Sequence, residues 1–197
     1  MKLILTENQI RSLMNEMTSD EITKEANKAD LNPTENQKTA GNYRMGHIRV
    51  KGMKITIENP KGSYRKYKNE DGTEGKNQMK NHYGYFSLTK GKDGDAIDVF
   101  IGPEIDDFDK VYVVDQLNKE GEFDESKVML GFKSKKDAKD GYLSNFTPDW
   151  KGFGTITSVP LSVFKKWLYR GRKQRQPFSE YAEIIKKQLK ENKNKRV

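Results

Sequence analysis

From Tyr43 onward, hydrophobic and polar positions alternate along the chain. Ile48 and Val50, then Ile55 and Ile57, sit two apart on either side of Gly52, which predicts two strands joined by a turn. "SYRKYKNEDGTEG" reads as a strand entering a hairpin, with Asp71-Gly72 as the turn signal. "HYGYFSLT" is an aromatic strand, and "AIDVFIG", "KVYVVDQL" and "KVMLGF" are apolar ones. A helix is predicted from near Ser134 through "KKDAKDGYLSNF". "GFGTITSVP" follows as a strand, and "LSVFKKWLYRG" as a helix that Ser162 would cap. The tail "SEYAEIIKKQLKENKNKRV" has an amphipathic helical period that fades into charge.

The beginning of the chain differs. "LTENQIRSLMNEM" places Ile10, Leu13, Met14 and Met17 at helical spacing behind Thr6 as N-cap. A second, more polar helix is expected from Ser19-Asp20 to Ala29, and "LNPTENQKTAGN" reads as a linker. Many short strands with a few helices predict an α+β fold, mainly β: a small closed, five-stranded, OB-like barrel with flanking helices. Residues 1–40 would be a helical extension and linker, 41–177 the barrel domain, and 178–197 a basic C-terminal helix and tail.

Composition narrows the chemistry. Of 197 residues, 33% are hydrophobic and 34% charged, so some of the chain is expected outside the core. The absence of cysteine excludes disulfides and thiolate zinc sites, and the two histidines, His47 and His82, are too few for a histidine-rich metal site. A metal here would be hard and oxygen-bound, Mg²⁺ or Mn²⁺. No apolar run is long enough to span a membrane, and the apolar start of "MKLILTENQ" is too short for a signal peptide. The chain therefore reads as cytoplasmic. A net charge of +8 and a pI near 9.4 suggest a polyanionic substrate or partner. Lys165, Lys166, Arg170, Arg172, Lys173 and Arg175 fall between residues 164 and 175 with no acid among them, a candidate contact for nucleic acid.

One stretch opposes that charge. "KDGDAIDVFI" crowds Asp93, Asp95 and Asp98 into a turn that runs into a strand, with Gly94 permitting a tight bend. Carboxylates this close disfavour joint ionisation, and a divalent cation reverses that balance. An aspartate left outside its coordination shell could act as a base toward water. Acids at other strand ends, Glu58, Asp115 and Glu125, lie among lysines and arginines, as a site for a phosphate-rich substrate requires.

These segments resemble the family I soluble inorganic pyrophosphatases. "ENPKGSYRKYK" is similar to that family's E-x-P-x-x-S/A-x-x-K-Y-E segment, and "HYGYFSLTKGKDGDAIDVFIGP" to its NYGY…DGDPxDVLV signature. Residues 41–177 also resemble the pyrophosphatase-like domains of phage and mobile-element polyvalent proteins, through "GNYRMGHIRVKGMKITIENPKGS" and "KVMLGF". The resemblance implies Mg²⁺-dependent hydrolysis of pyrophosphate, with Asp95 as proton acceptor and Tyr83 donating to a phosphate oxygen. Asp93 and Asp98 would be metal ligands, joined by one of Asp115, Asp124 or Glu125, with Glu58 holding metal on the substrate side. Lys66, Lys127, Tyr169 and Arg170 would grip phosphate. Lys68, Glu125 and Arg170 depart from the family pattern. A second reading follows from them: a catalytically weakened virion or structural protein, or a nucleic-acid-binding one, docking phage proteins or nucleic acid through its basic end, or self-associating as a homo-oligomer. A phage-encoded chain would work in the host cytoplasm or in the virion.

Overall fold

Lys51 and Gly52 both have positive φ, 48° and 78°, and reverse the chain with the twist an antiparallel pair requires. They join β1 (Gly46–Val50) to β2 (Met53–Asn59), with Ile48 opposite Ile55. The computed structural model describes residues 6, 16–68, 72–169 and 175–194. It divides into two compact units, Met1–Ser87 and Leu88–Val197.

In the first unit β2 also pairs antiparallel with β5 (His82–Phe86), the "HYGYF" strand. Gly84 is required there: a Cβ at this position would lie 1.9 Å from the Thr56 carbonyl oxygen. Ile48, Val50, Met53, Ile55, Ile57 and Phe86 form the core. The predicted hairpin is present as β3 (Tyr64–Lys68) and β4 (Glu74–Gln78); of the connection between them residues 69–71 fall outside the described residues, and Gly72 has φ 85°. Helix α1 (Ser19–Ala26) buries Ile22 and Ala26, and a reciprocal Thr18–Glu21 capping box fixes its start. The segment read as a linker contains a helix, α2 (Glu35–Ala40), opened by a Thr34–Gln37 capping box and closed by Gly41 in the left-handed region. It buries no residue, so no hydrophobic period announced it. The first helix expected from the sequence lies almost wholly outside the described residues.

In the second unit β6 (Asp98–Ile101), β7 (Lys110–Leu117), β8 (Phe123–Leu130) and β9 (Phe153–Pro160) are ordered β6-β8-β7-β9. The β6–β8 pair is parallel and the others are antiparallel. Helix α3 (Lys135–Leu143) is capped by Ser134, as predicted. Helix α4 (Leu161–Leu168) is not capped by Ser162, which lies inside it. Pro160 holds the cap position and offers no side-chain hydrogen bond. Helix α5 (Phe178–Asn194) completes the unit. Rings of Phe100, Tyr142, Phe146 and Trp150 form one core cluster, and Phe164, Trp167, Phe178 and Tyr181 another.

The mixed α and β composition matches expectation; the closed five-stranded barrel does not. Neither unit's strands close, because β1 and β9 are edge strands. Helices α3, α4 and α5 all pack against β9, so helix covers the apolar surface that barrel closure would have buried. Among the described residues no helix is long and apolar enough to cross a membrane.

Candidate active site

The acidic loop is built by its own backbone. Gly94, at φ 97°, bends the chain, and the Asp95 amide donates to Asp93 Oδ1 at 3.0 Å. The Gly91 amide donates to the Asp95 carbonyl at 2.6 Å, and the Ile97 amide to Thr89 Oγ1 at 2.9 Å. This leaves Asp93 and Asp95 exposed and Asp98 half-buried at the head of β6. Parallel pairing places Asp98 directly beside Lys127 on β8. The Lys127 ammonium, only 4% exposed, pairs with Asp98 and also with Glu125 at 2.7 Å. Burial is the largest influence on Glu125 and raises its pKa; Lys127 opposes that shift and Asp98 adds to it.

A β-bulge brings a further acid to the same place. Gln116 is opposite Glu125 and Leu117 opposite Phe123, so Asp124 is the extra residue on β8. Neighbours on a regular strand face opposite ways. Here the Gln116 amide nitrogen donates to both Asp124 Oδ2, at 3.2 Å, and Glu125 Oε1, at 2.9 Å. Behind it, buried Tyr142 donates its hydroxyl to Gln116 Oε1 at 2.8 Å, and Trp150 Nε1 donates to that hydroxyl at 3.1 Å. None of Gln116, Tyr142 and Trp150 was expected at the site. The glutamine beside Asp115 in "VVDQL" was the available signal.

Asp115, one of the three acids offered as a further metal ligand, is engaged in hydrogen bonds of its own. It precedes Gln116 on β7 and so faces the other way. Its carboxylate accepts from the amides of Phe178, at 2.7 Å, and Ser179, at 3.1 Å, and from Thr155 Oγ1 at 2.9 Å. It is buried and caps the first turn of α5 from outside that helix.

The first unit holds the other expected residues. Glu58 is also a bulge residue, lying between Ile57, opposite Gly84, and Asn59, opposite Tyr83. It accepts from the Tyr43 hydroxyl at 3.2 Å, and burial with the nearby carboxylate pushes Tyr43 up to about 12. Lys66 is exposed on β3. Tyr83 is buried, with the Arg65 guanidinium 4.4 Å from its ring centroid. In the second unit Tyr169 is exposed just past α4, and Arg170 lies outside the described residues.

The inorganic pyrophosphatase family model matches residues 35–169 of this 197-residue chain. The chain belongs to the inorganic pyrophosphatase family. No curated protein and no solved structure matches it significantly. The family match spans the Glu58 bulge, the hairpin, the acidic loop and the Lys127 cluster, and ends just after α4.

Pyrophosphatases of this family generally use divalent metals. Among the described residues no three acidic or histidine side chains converge closely enough to hold an ion. The donor set is nevertheless of the right kind, because Asp98, Asp124 and Glu125 supply only carboxylate oxygens, the ligands hard dications prefer. The Lys127 ammonium pairs with both Asp98 and Glu125 and balances part of their charge.

Proposed function

We propose that this pyrophosphatase-family chain hydrolyses inorganic pyrophosphate to two phosphates. The observation that carries the proposal is the buried Lys127 ammonium paired with Asp98 and Glu125, beside a loop that exposes Asp93 and Asp95. Asp95 accepts a proton as the water oxygen bonds to phosphorus and the bridging P–O bond breaks. Lys127, Lys66 and Arg170 bind phosphate oxygens as charge grows on the leaving group, and Tyr83 and Tyr169 donate to them. Asp93, Asp98, Asp124 and Glu125 are the acids that would hold Mg²⁺ or Mn²⁺, and Glu58 is the acid that the family resemblance offers for metal on the substrate side. When bound, that ion supplies Lewis-acid polarisation and lowers the pKa of water. Gln116 fixes Asp124 and Glu125, and so presents them already oriented. Within the family we assign the chain to the phage and mobile-element type, on "GNYRMGHIRVKGMKITIENPKGS" and "KVMLGF".

The test is phosphate release from pyrophosphate with Mg²⁺. Wild-type chain should turn over, and Asp95→Asn should lose on the order of 10²- to 10⁴-fold in kcat. No turnover by the wild type would leave a family member that has lost catalysis, and unchanged turnover in the variant would remove Asp95 from the mechanism.

A further inference from the structure

A cavity of about 1100 Å³ opens in the first unit, between the β3–β4 hairpin and the segment around α2. Its volume suits a ligand of drug-like size, whereas a bare pyrophosphate would fill a small part of it. Two features of the hairpin indicate what that ligand carries. Lys66 and Lys76 are directly opposed across the two strands, on the same face. Like charges so placed are destabilising. Neither lysine, nor Arg65 beside them, makes an ion pair among the described residues, and around the cavity they stand with Lys38 among the carboxylates of Asp30, Glu35, Glu58 and Glu74. The opposed lysines offer a polyanion its place, and the carboxylates suit the dication that accompanies it.

The second feature is aromatic. Tyr64 and Tyr67 line the same cavity and are 52% and 37% exposed, unusual for rings on a short hairpin. Tyr67 lies over Gly75, its cross-strand partner, where a Cβ would come within 2.4 Å of the ring. Lys76 Nζ stands 4.9 Å from the Tyr64 ring centroid, so cation and π-face are presented together. Glu74 adds a carboxylate acceptor on the rim.

We propose that this cavity binds a nucleoside polyphosphate. The phosphates lie on Lys66 and Lys76, the base stacks on Tyr64, which shares their strand face, and Glu74 accepts from ribose or base donors. The proposal rests on the phosphoanhydride reading above and deepens it: the anhydride this chain handles carries a nucleoside.

Calorimetric titration of the full chain with Mg²⁺ tests this, using α,β-methylene adenosine diphosphate and methylenediphosphonate as matched probes. The nucleotide should bind on the order of 10- to 100-fold more tightly, the contribution of stacking one base. Tyr64→Ala should erode nucleotide affinity at least about five-fold more than diphosphonate affinity, with Tyr64→Phe restoring it, whereas Tyr67→Ala should change the ratio of the two affinities less. Lys66→Met should weaken both probes. Equal affinities for the two probes, equal loss of both affinities in Tyr64→Ala, or tighter binding of a single-stranded oligonucleotide than of the nucleotide would overturn the proposal. Phosphate release from pyrophosphate is read separately. A chain that hydrolyses pyrophosphate but does not prefer the nucleotide keeps its proposed function and loses this inference. A chain that prefers the nucleotide without turning over pyrophosphate does the reverse.

Discussion

Tyr142 and Gln116 form a buried hydrogen bond of 2.8 Å, and through it the aromatic core of the second unit sets the orientation of two candidate ligands. The hydroxyl also accepts from Trp150, so removing it strands a donor and an acceptor at once. Tyr142→Phe should cost about 1–3 kcal/mol in urea unfolding. It should also weaken Mg²⁺ binding, because Gln116 becomes free to turn. A purely structural role would lower stability and leave the metal titration unmoved.

Asp115→Asn distinguishes cap from ligand. The variant loses charge-assisted bonds to two amides at the start of α5, which should cost about 2–4 kcal/mol. Amide exchange in the first turn of α5 should quicken, while Mg²⁺ affinity should stay at the wild-type value. A large loss of Mg²⁺ affinity would restore Asp115 to the metal site.

His82 supplies a pH dependence. Its Nδ1 accepts from the Lys61 amide at 3.0 Å, and its Nε2 lies 3.3 Å from Thr23 Oγ1. Burial, with a smaller contribution from Lys61, holds its pKa below the ordinary 6.5. The unfolded chain therefore binds the proton more readily than the folded one. Stability is present in full above about pH 6.5 and is lost as pH falls through the depressed folded value. Melting temperature measured between pH 8 and pH 5 should fall on the acid side, and His82→Gln should flatten that fall. Parallel curves for the two proteins would refute the assignment.

Ser126 carries a buried hydroxyl with no hydrogen-bond partner among the described residues. Ser126→Ala removes an unsatisfied group at little change in volume. It should leave stability unchanged or raise it by up to about 1 kcal/mol, measured by thermal melting. A clear loss would mean that the hydroxyl has a partner such as ordered water.

What the sequence made legible was local. Alternation around Gly52, the Ser134 cap and the DGD turn each depend on residues a few positions apart, and each appears where expected. The facing of acids was not legible. Asp115 and Gln116 are neighbours with opposite tasks, and only the register of β7 against β8 and β9 decides which one meets Glu125. The bulges at Glu58 and Asp124 likewise arise from pairing between distant segments, which no short window contains. Helix α2 is the contrary case, since its T-x-x-Q capping box stood in the sequence and the surrounding Pro33 and Gly41 outweighed it.

The attachment of α5 to Asp115 bears on how the chain can be shortened. A version trimmed at residue 169, where the family match stops, would remove Phe178 from the edge of Trp167, 4.9 Å away, and uncover a carboxylate that the fold has enclosed. The domain boundary drawn by kinship and the boundary drawn by physical completeness are therefore different places, and the final helix belongs to the folding unit.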